Sequence, residues 1–517
     1  MTSLKLLSLS KWQKFCLTLL TIVTLGIYRM SGNRNTLTII RDFFKKIPHF
    51  FASIGRKIAK PFKVLGEAFK KGTWFTRGNF LIMGFSQLFH HQIARGILYL
   101  LFEVVFFWFL FVVGIPYLSK LGTLGTFSPT SQALGNVNEG TLESLTNGDS
   151  SFTILLYSIV TILLIGIFVV LWYISIRDAK SLQDSIAVGK FEKNGQFFKD
   201  LTDKNYHTLM LAVPMVGLVA FTIIPVIFMV ITGFTNYNGK THADLFDWVG
   251  WDNFSNLFSG MSGDGEIVTV FLNVLAWTLL WALIATFTNY FLGMIVALLI
   301  NKKGIKLKKL WRTVLILTIA VPQFVSLLLI NRMLSTTGFL TRLFVDMGII
   351  AKNTSPFDNV VLARILIIVV NMWVGVPYTM LICSGILMNI PEDLYESARI
   401  DGASSFKMYT AITLPYMLFI TLPYLISQFV GNINNFNIIY LLSQGAPSFH
   451  ANIPTSYGDV GQTDLLITWI YKMSMQGDEK NYAVACVLGI LVFLVIAAIS
   501  LIFYGRSNSV KNEEDFQ

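Results

Sequence analysis

What most limits the folding of this chain is a series of eight long apolar runs, near residues 97–117, 152–176, 207–233, 268–300, 313–335, 360–388, 412–436 and 483–505. About 20 such residues cross the ~30 Å hydrocarbon layer of a bilayer as a helix. That layer offers no water to an unpaired backbone N–H or C=O. Each run must therefore satisfy its own backbone, as an α-helix does. The expected fold is an all-α polytopic membrane protein with about eight transmembrane helices. Composition agrees: 54% of the 517 residues are hydrophobic and only 13% are charged, against roughly 25% charged in soluble domains. Run 268–300 is long for one straight crossing, so a short interfacial piece is expected at its start.

The net charge of +11 invites a nucleic-acid reading, but the basic residues are distributed as a membrane protein distributes them. If the loop 389–411 is cytoplasmic, the inner connections carry sixteen Lys and Arg and the outer ones six, and residues 1–95 add sixteen more inside. The positive-inside rule then assigns the charge to cytoplasmic loops facing a lipid bilayer, with no nucleic acid involved. Within residues 40–72, Phe43, Phe44, Ile47, Phe50, Phe51, Ile54 and Ile58 recur at helical spacing beside Lys45, Lys46, Arg56, Lys57 and Lys60. That is the pattern of a basic amphipathic helix on the inner leaflet, interrupted by Pro48 and Pro61. Run 15–28 is short for a span and is expected to be interfacial. Cys16, Cys383 and Cys486 lie in apolar stretches without a CxxC pair and are expected as small core residues.

Catalytic motifs are absent from the sequence. There is no GxxxxGK[ST] phosphate loop, no HExxH metal pair and no GxSxG elbow. Neither a catalytic residue nor a metal site is expected, and the chain reads as a non-enzyme. Few charges fall inside the spans. Arg332 and Arg364 lie near outer helix ends, where they can snorkel. Glu103 lies deeper, with Arg95 as its expected partner. No series of carboxylates crosses the membrane, which weighs against a proton-coupled pump.

One polar stretch stands out, YESARIDGASSFKMYTAITLP at 395–415. Pro391 followed by Glu392 and Asp393 suits a helix start, and Gly402 suits a left-handed helix end. The prediction is a short helix, a sharp turn and then the next span. The spacing from Glu396, Ser397 and Ala398 through Gly402 to Ile412 and Leu414-Pro415 resembles the EAA-x3-G-x9-I-x-LP motif of ABC importer permeases, with Ser397 in place of an alanine. Asp401, Gly402 and Ala403 match the DGA core of that motif. In that family this loop docks on the ATPase subunit, which implies a coupling role for Glu396, Ser397, Ala398, Asp401, Gly402 and Ala403.

The resemblance extends over about 210–505 and is nearest to maltose/maltodextrin permeases of the MalF type. It is carried by AVPQFVSLLL at 320–329, NMWVGVPYTMLICSGILMNIPEDLYESA at 371–398, NINNFNIIYLLSQGAP at 432–447 and TSYGDVGQTDLLITWIYKMSM at 455–475. It implies a six-helix type 1 (MetI-like) core over 207–506, with the coupling loop at 391–413. Ahead of the core stand a basic N-terminal region (1–95) and two additional spans (96–206), and a cytoplasmic tail (507–517) follows it. The implied function is a multi-pass permease in a bacterial cell membrane, importing maltose or maltodextrin by alternating access. The implied partners are a second permease of the MalG type, two ATP-binding cassette subunits that use the ATP, and an extracytoplasmic sugar-binding protein. This chain itself would bind no cofactor. A permease for another oligosaccharide or sugar derivative is the alternative, and a secondary transporter a distant one.

Asn371, Asn432 and Asn435 are amides in or beside apolar spans, able to donate and accept. Asn371, Gly375 and Tyr378 share one helical face. Asparagines also pair across membrane helices without any ligand, so the amides alone leave both readings open. The resemblance implies that Gln323, Asn371, Val374, Gly375, Tyr378, Gln428, Asn432 and Asn435 line the sugar site, with Gln323 and Gln428 standing where the family has serines. The connection 234–267 has about 34 residues, too few for the large outer domain some MalF-type proteins carry there.

Overall fold

The computed structural model describes residues 61–126, 149–189, 206–259, 266–302, 304–449, 458–476 and 480–506, with 199 and 203. Run 15–28, Cys16, most of the amphipathic stretch 40–72, most of the outer loop 118–151 and the tail 507–517 lie outside them. Among the described residues the regular elements are helices. Seven are long and apolar enough to cross a membrane: Ile93–Lys120, Ser151–Ala187, Tyr206–Thr232, Val268–Asn301, Val360–Leu387, Ser405–Leu442 and Tyr482–Leu501. They coincide with seven of the eight expected runs, and the protein is multi-pass. The eighth run differs from expectation. Lys308–Ala320 and Gln323–Met333 are separate helices bent by 86°, because Val321 is extended ahead of Pro322.

The chain forms two compact units. The first runs through Tyr237 and includes His242–Val249. It contains α1 (Trp74–Gly78), α2 (Phe85–Phe89), α3 (Ile93–Phe109), α4 (Ile115–Lys120), α5 (Ser151–Ala187), α6 (Tyr206–Leu218) and α7 (Ile224–Thr232). Short α1 and α2 are held by buried polar groups. The Asn79 amide donates to Gln87 Oε1 (3.0 Å) and to Ser175 Oγ (3.0 Å), and its oxygen accepts the Ser86 N–H at 2.6 Å. The expected Glu103–Arg95 pair does not form. Glu103 accepts the Met83 N–H at 2.8 Å, whereas Arg95 pairs with Asp178, which also accepts from Tyr99 (2.9 Å).

The second unit contains Asn238–Thr241 and the chain from Gly250 onward. Its elements are α8 (Asp252–Ser259), α9 (Glu266–Asn301), α10 (Lys308–Ala320), α11 (Gln323–Met333), α12 (Phe339–Asp346), α13 (Val360–Leu387), α14 (Glu392–Ile400), α15 (Ser405–Met408), α16 (Leu414–Ile433), α17 (Phe436–Leu442), α18 (Leu466–Met475) and α19 (Tyr482–Arg506). The short interfacial piece expected at the start of run 268–300 is not set apart as an element of its own. α9 is one unbroken helix of 36 residues, roughly 54 Å long at 1.5 Å per residue. It packs along α13 and α16. In hydrocarbon, helices associate by close packing rather than by escape from water. Small residues accordingly line this contact: Ala282, Ala285 and Ala297 are fully buried, and a Cβ on Gly293 would lie 2.7 Å from Thr379 Cβ.

Among the described residues three spans contain a π-helical turn, at Leu110–Gly114, Val219–Ile223 and Tyr409–Thr413. Each is followed two residues later by a proline: Pro116, Pro225 and Pro415. Proline has no N–H to give to residue i−4, and its ring collides with that carbonyl in a regular helix. The wider π turn removes the collision while keeping the helix continuous.

Candidate functional site

Two features of the second unit carry chemistry. One is a polar seam between α9, α13 and α16. Thr286, Asn289 and Tyr290 lie on α9, one turn apart or less. The Tyr290 hydroxyl shares a 2.7 Å hydrogen bond with Thr421 on α16. Asn432, near the end of α16, donates from Nδ2 to Thr286 Oγ1 at 3.0 Å, and its carbonyl accepts the Trp281 indole N–H at 3.1 Å. Thr379 on α13 meets the Tyr424 hydroxyl at 3.4 Å.

The expected sugar-lining residues fall into two groups. Gly375 faces Asn289 on α9, Asn432 faces Thr286, and Asn371 lies one turn before Gly375 on α13. Asn371 is 4% exposed, and its Nδ2 is buried with no hydrogen-bond partner. Asn432 bonds across helices, so at least part of its burial is structural. The remaining positions enter no side-chain hydrogen bond among the described residues. Tyr378 is 49% exposed, Gln323 opens α11 just after the bend, and Val374, Gln428 and Asn435 are half-buried. Asn435 is the N-cap of α17 without a side-chain cap bond. Sequence reasoning did not single out Thr286, Asn289, Tyr290, Thr421 or Tyr424. The stretch TFTNY at 286–290, polar inside an apolar run, was the available signal.

The second feature is α14 and its turn. Asp401 caps the helix, and Gly402 is left-handed at φ +72°. The Gly402 N–H donates to Arg399 O (3.0 Å) and the Ala403 N–H to Ala398 O (2.9 Å). This pair of bonds is a Schellman closure, and it satisfies carbonyls that a helix end leaves unpaired. Ser404 then caps α15, accepting the Lys407 N–H at 3.3 Å. Ile400 and Phe406 are 87% and 75% exposed, and Leu394 is exposed as well. Glu396, Ser397 and Asp401 are also exposed, and a Cβ on Gly402 would meet nothing within 4 Å. The Tyr395 hydroxyl reaches back 2.8 Å to Thr413 Oγ1. That bond ties α14 to the π turn at the base of the next span.

A buried ion pair organises the segment between α17 and α19. Lys472 Nζ lies 2.7 Å from Asp464 Oδ2 and donates to Gln444 O at 2.7 Å. Asp464 also accepts from the Gly461 N–H (2.7 Å) and the Thr468 hydroxyl (2.8 Å). Burial pushes the Asp464 carboxyl above the ordinary carboxylate range, against the opposing pull of Lys472 and these donors. The left-handed Gly445 (φ +86°) passes beside that carboxylate with no room for a side chain. Arg364 does not snorkel freely. Its guanidinium donates to Gln462 O at 2.8 Å and sits 4.2 Å over the Trp277 ring, a cation–π contact.

With this geometry in view, residues 289–509 match the family of binding-protein-dependent transport system inner membrane components. The chain is 32% identical over 451 residues to the maltodextrin transport system permease protein MdxF of Bacillus subtilis, covering 84% of this chain and 95% of that one. It is 31% identical over 444 residues to the galactooligosaccharides transport system permease protein GanP of the same organism, covering 84% and 97%. It is 32% identical over 255 residues to the maltose/maltodextrin permease MalF of Escherichia coli, covering 49% and 48%.

Proposed function

Because this chain belongs to the inner membrane components of binding-protein-dependent transport systems, the permease subunits of ABC importers, we propose that it conducts maltodextrins into the cell. A second permease subunit completes the path, an extracytoplasmic binding protein delivers the sugar, and two ATPase subunits bind and split the ATP. Loop 389–411 and the C-terminus face the cytoplasm in this reading. The observation that carries it is α14. It projects exposed apolar and acidic side chains and closes on a left-handed glycine, which suits a helix that seats in a groove of another protein.

Movement at α14 reaches the membrane through Tyr395 and the π turn holding Thr413. The polar seam above it, with Asn371 buried and unpaired, suits hydroxyls, which both give and take hydrogen bonds. The second reading, an importer of a different oligosaccharide, is favoured by the similarity to the galactooligosaccharide permease, which is nearly as extensive. The test is the reconstituted importer with its binding protein and a panel of maltodextrins and galactooligosaccharides. Maltodextrins are expected to give the strongest stimulation of ATP hydrolysis and uptake; preference for the other class selects the second reading. Gly402→Asn, which tolerates φ > 0, is expected to keep ATPase association, and Gly402→Val to lose it. Association of Gly402→Val equal to wild type would remove α14 from the contact.

A further inference from the structure

We propose that Asn289 is a sugar-positioning residue, supplying the polar group that Gly375 lacks. The inference rests on the reading of Asn371 and Gly375 as part of the sugar path. Gly375 has no side chain, and the space where one would project is filled from α9. A Cβ on Gly375 would collide first with Nδ2 of Asn289 and would lie 2.7 Å from its Cγ and 3.0 Å from its Oδ1. Whatever position 375 offers to a passing sugar is therefore the carboxamide of Asn289. One turn along the same face of α13 stands Asn371.

These two amides differ from others in the second unit. Asn432 gives its Nδ2 to Thr286. Asn301 donates to Ala297 O and Ser384 Oγ and accepts from Arg312. Asn331 donates to Leu442 O at 2.6 Å. Those amides join helices. Asn289 Oδ1 and Asn371 Nδ2, by contrast, are both buried with no partner among the described residues. Buried polar groups are almost always paired, and exceptions call for a reason. An unpaired acceptor on α9 and an unpaired donor on α13 are together the complement of a hydroxyl, which donates to one and accepts from the other. In this reading the sugar hydroxyl enters between α9 and α13 when alternating access parts these closely packed helices. The ligand class is a neutral polyol ring, since no ionised side chain among the described residues is bonded to the pair.

The experiment is a cycle between side chain and sugar hydroxyl in the complete reconstituted importer. Uptake of maltose and of each singly deoxygenated maltose is measured for wild type, Asn289→Ala and Asn371→Ala. The binding protein is the same throughout, so its own preferences cancel. For one deoxy position the wild type is expected to lose roughly tenfold in uptake, as for one buried hydrogen bond, and Asn289→Ala to lose nothing further. If Asn289→Ala slows every sugar by one common factor while Asn371→Ala couples to a hydroxyl, the Asn289 assignment is overturned and the sugar path stands. If neither variant couples to any hydroxyl, the underlying path reading fails as well.

Packing is checked separately by copurification of the subunits. Gly375→Ala is expected to lose assembly and Gly375→Ala/Asn289→Ala to regain it. Normal assembly of Gly375→Ala alone would show that the carboxamide does not fill that space, and would overturn the proposal. Should Asn289→Ala not assemble, Asn289→Ser enters the same cycle and is judged by the same two outcomes.

Discussion

Asp464 and Lys472 lie in the segment between α17 and α19, with side chains 0% and 8% exposed. Removing both charges from water costs several kcal/mol per ion, which their attraction barely returns. The upward push of burial on the Asp464 carboxyl is the same cost seen from the proton's side. The pair therefore holds Gly445, Gly461 and Thr468 in place more than it adds net stability. Asp464→Asn or Lys472→Met alone is expected to lower stability by about 3–5 kcal/mol, because one buried charge is left without its partner. The double variant is expected to recover most of that loss, and thermal unfolding in detergent measures it. If the double variant is as unstable as the worse single one, the pair is contributing more than geometry. Both residues lie inside the family stretch 455–475, and neither stood out there as half of a buried pair. Eight residues separate the two, and nothing in one dimension marks the lysine as buried. Asn371 and Asn432 were legible because an amide is conspicuous in an apolar run. Which of them is paired depends on residues more than a hundred positions away.

At the scale of elements, α14 and the π turn of Tyr409–Thr413 are linked by the Tyr395–Thr413 hydrogen bond of 2.8 Å. Such a bond is worth about 1 kcal/mol net. Tyr395→Phe removes it while leaving the ring packed. The expected result is normal association with the ATPase subunits but roughly fivefold weaker coupling of uptake to ATP hydrolysis, read as sugar moved per ATP. Unchanged coupling would place the mechanical link elsewhere on α14. The start and stop of α14 were readable from Pro391, the two acids and Gly402, since each residue type has one local physical use there. The 86° bend between α10 and α11 was less readable. Val321-Pro322 marks a break, but neighbouring helices decide whether a break becomes a kink or a corner. The unbroken α9 was misjudged for a related reason: hydropathy measures how long an apolar stretch is, not whether it leaves the bilayer.

For the whole molecule, the alternation of apolar runs and basic loops yields the membrane fold and one orientation. A cysteine scan tests that orientation, starting from Cys16→Ser because Cys383 is buried and Cys486 partly so. Lys407→Cys is expected to react with an impermeant thiol reagent only in inside-out vesicles, and Lys240→Cys only in right-side-out ones. The reverse pattern would invert the topology and take α14 away from any cytoplasmic ATPase. Residue counts and hydropathy suffice for the spans, whose existence is a solvent property. The division into two compact units, with α6 and α7 belonging to the first, depends on side-chain packing and was not visible in the runs themselves.

The π turn ahead of Pro415 has a consequence for the phase of everything after it. A helix advances about 100° per residue, and a π turn holds one residue more than the α-helical turn it replaces. Deleting a single residue between Tyr409 and Thr413 would let the span close into a regular helix at its base. The later side chains of α16 would keep their phase, because the wide turn had already absorbed the extra residue. A deletion beyond Pro415, where no wide turn can close, would instead rotate every later side chain of α16 by about 100°, carrying Asn432 off Thr286 and away from the Trp281 indole. That second chain is expected to insert and span the membrane normally, yet to lose sugar uptake. Past the turn the sequence tolerates exchange of side chains far better than a change in their number.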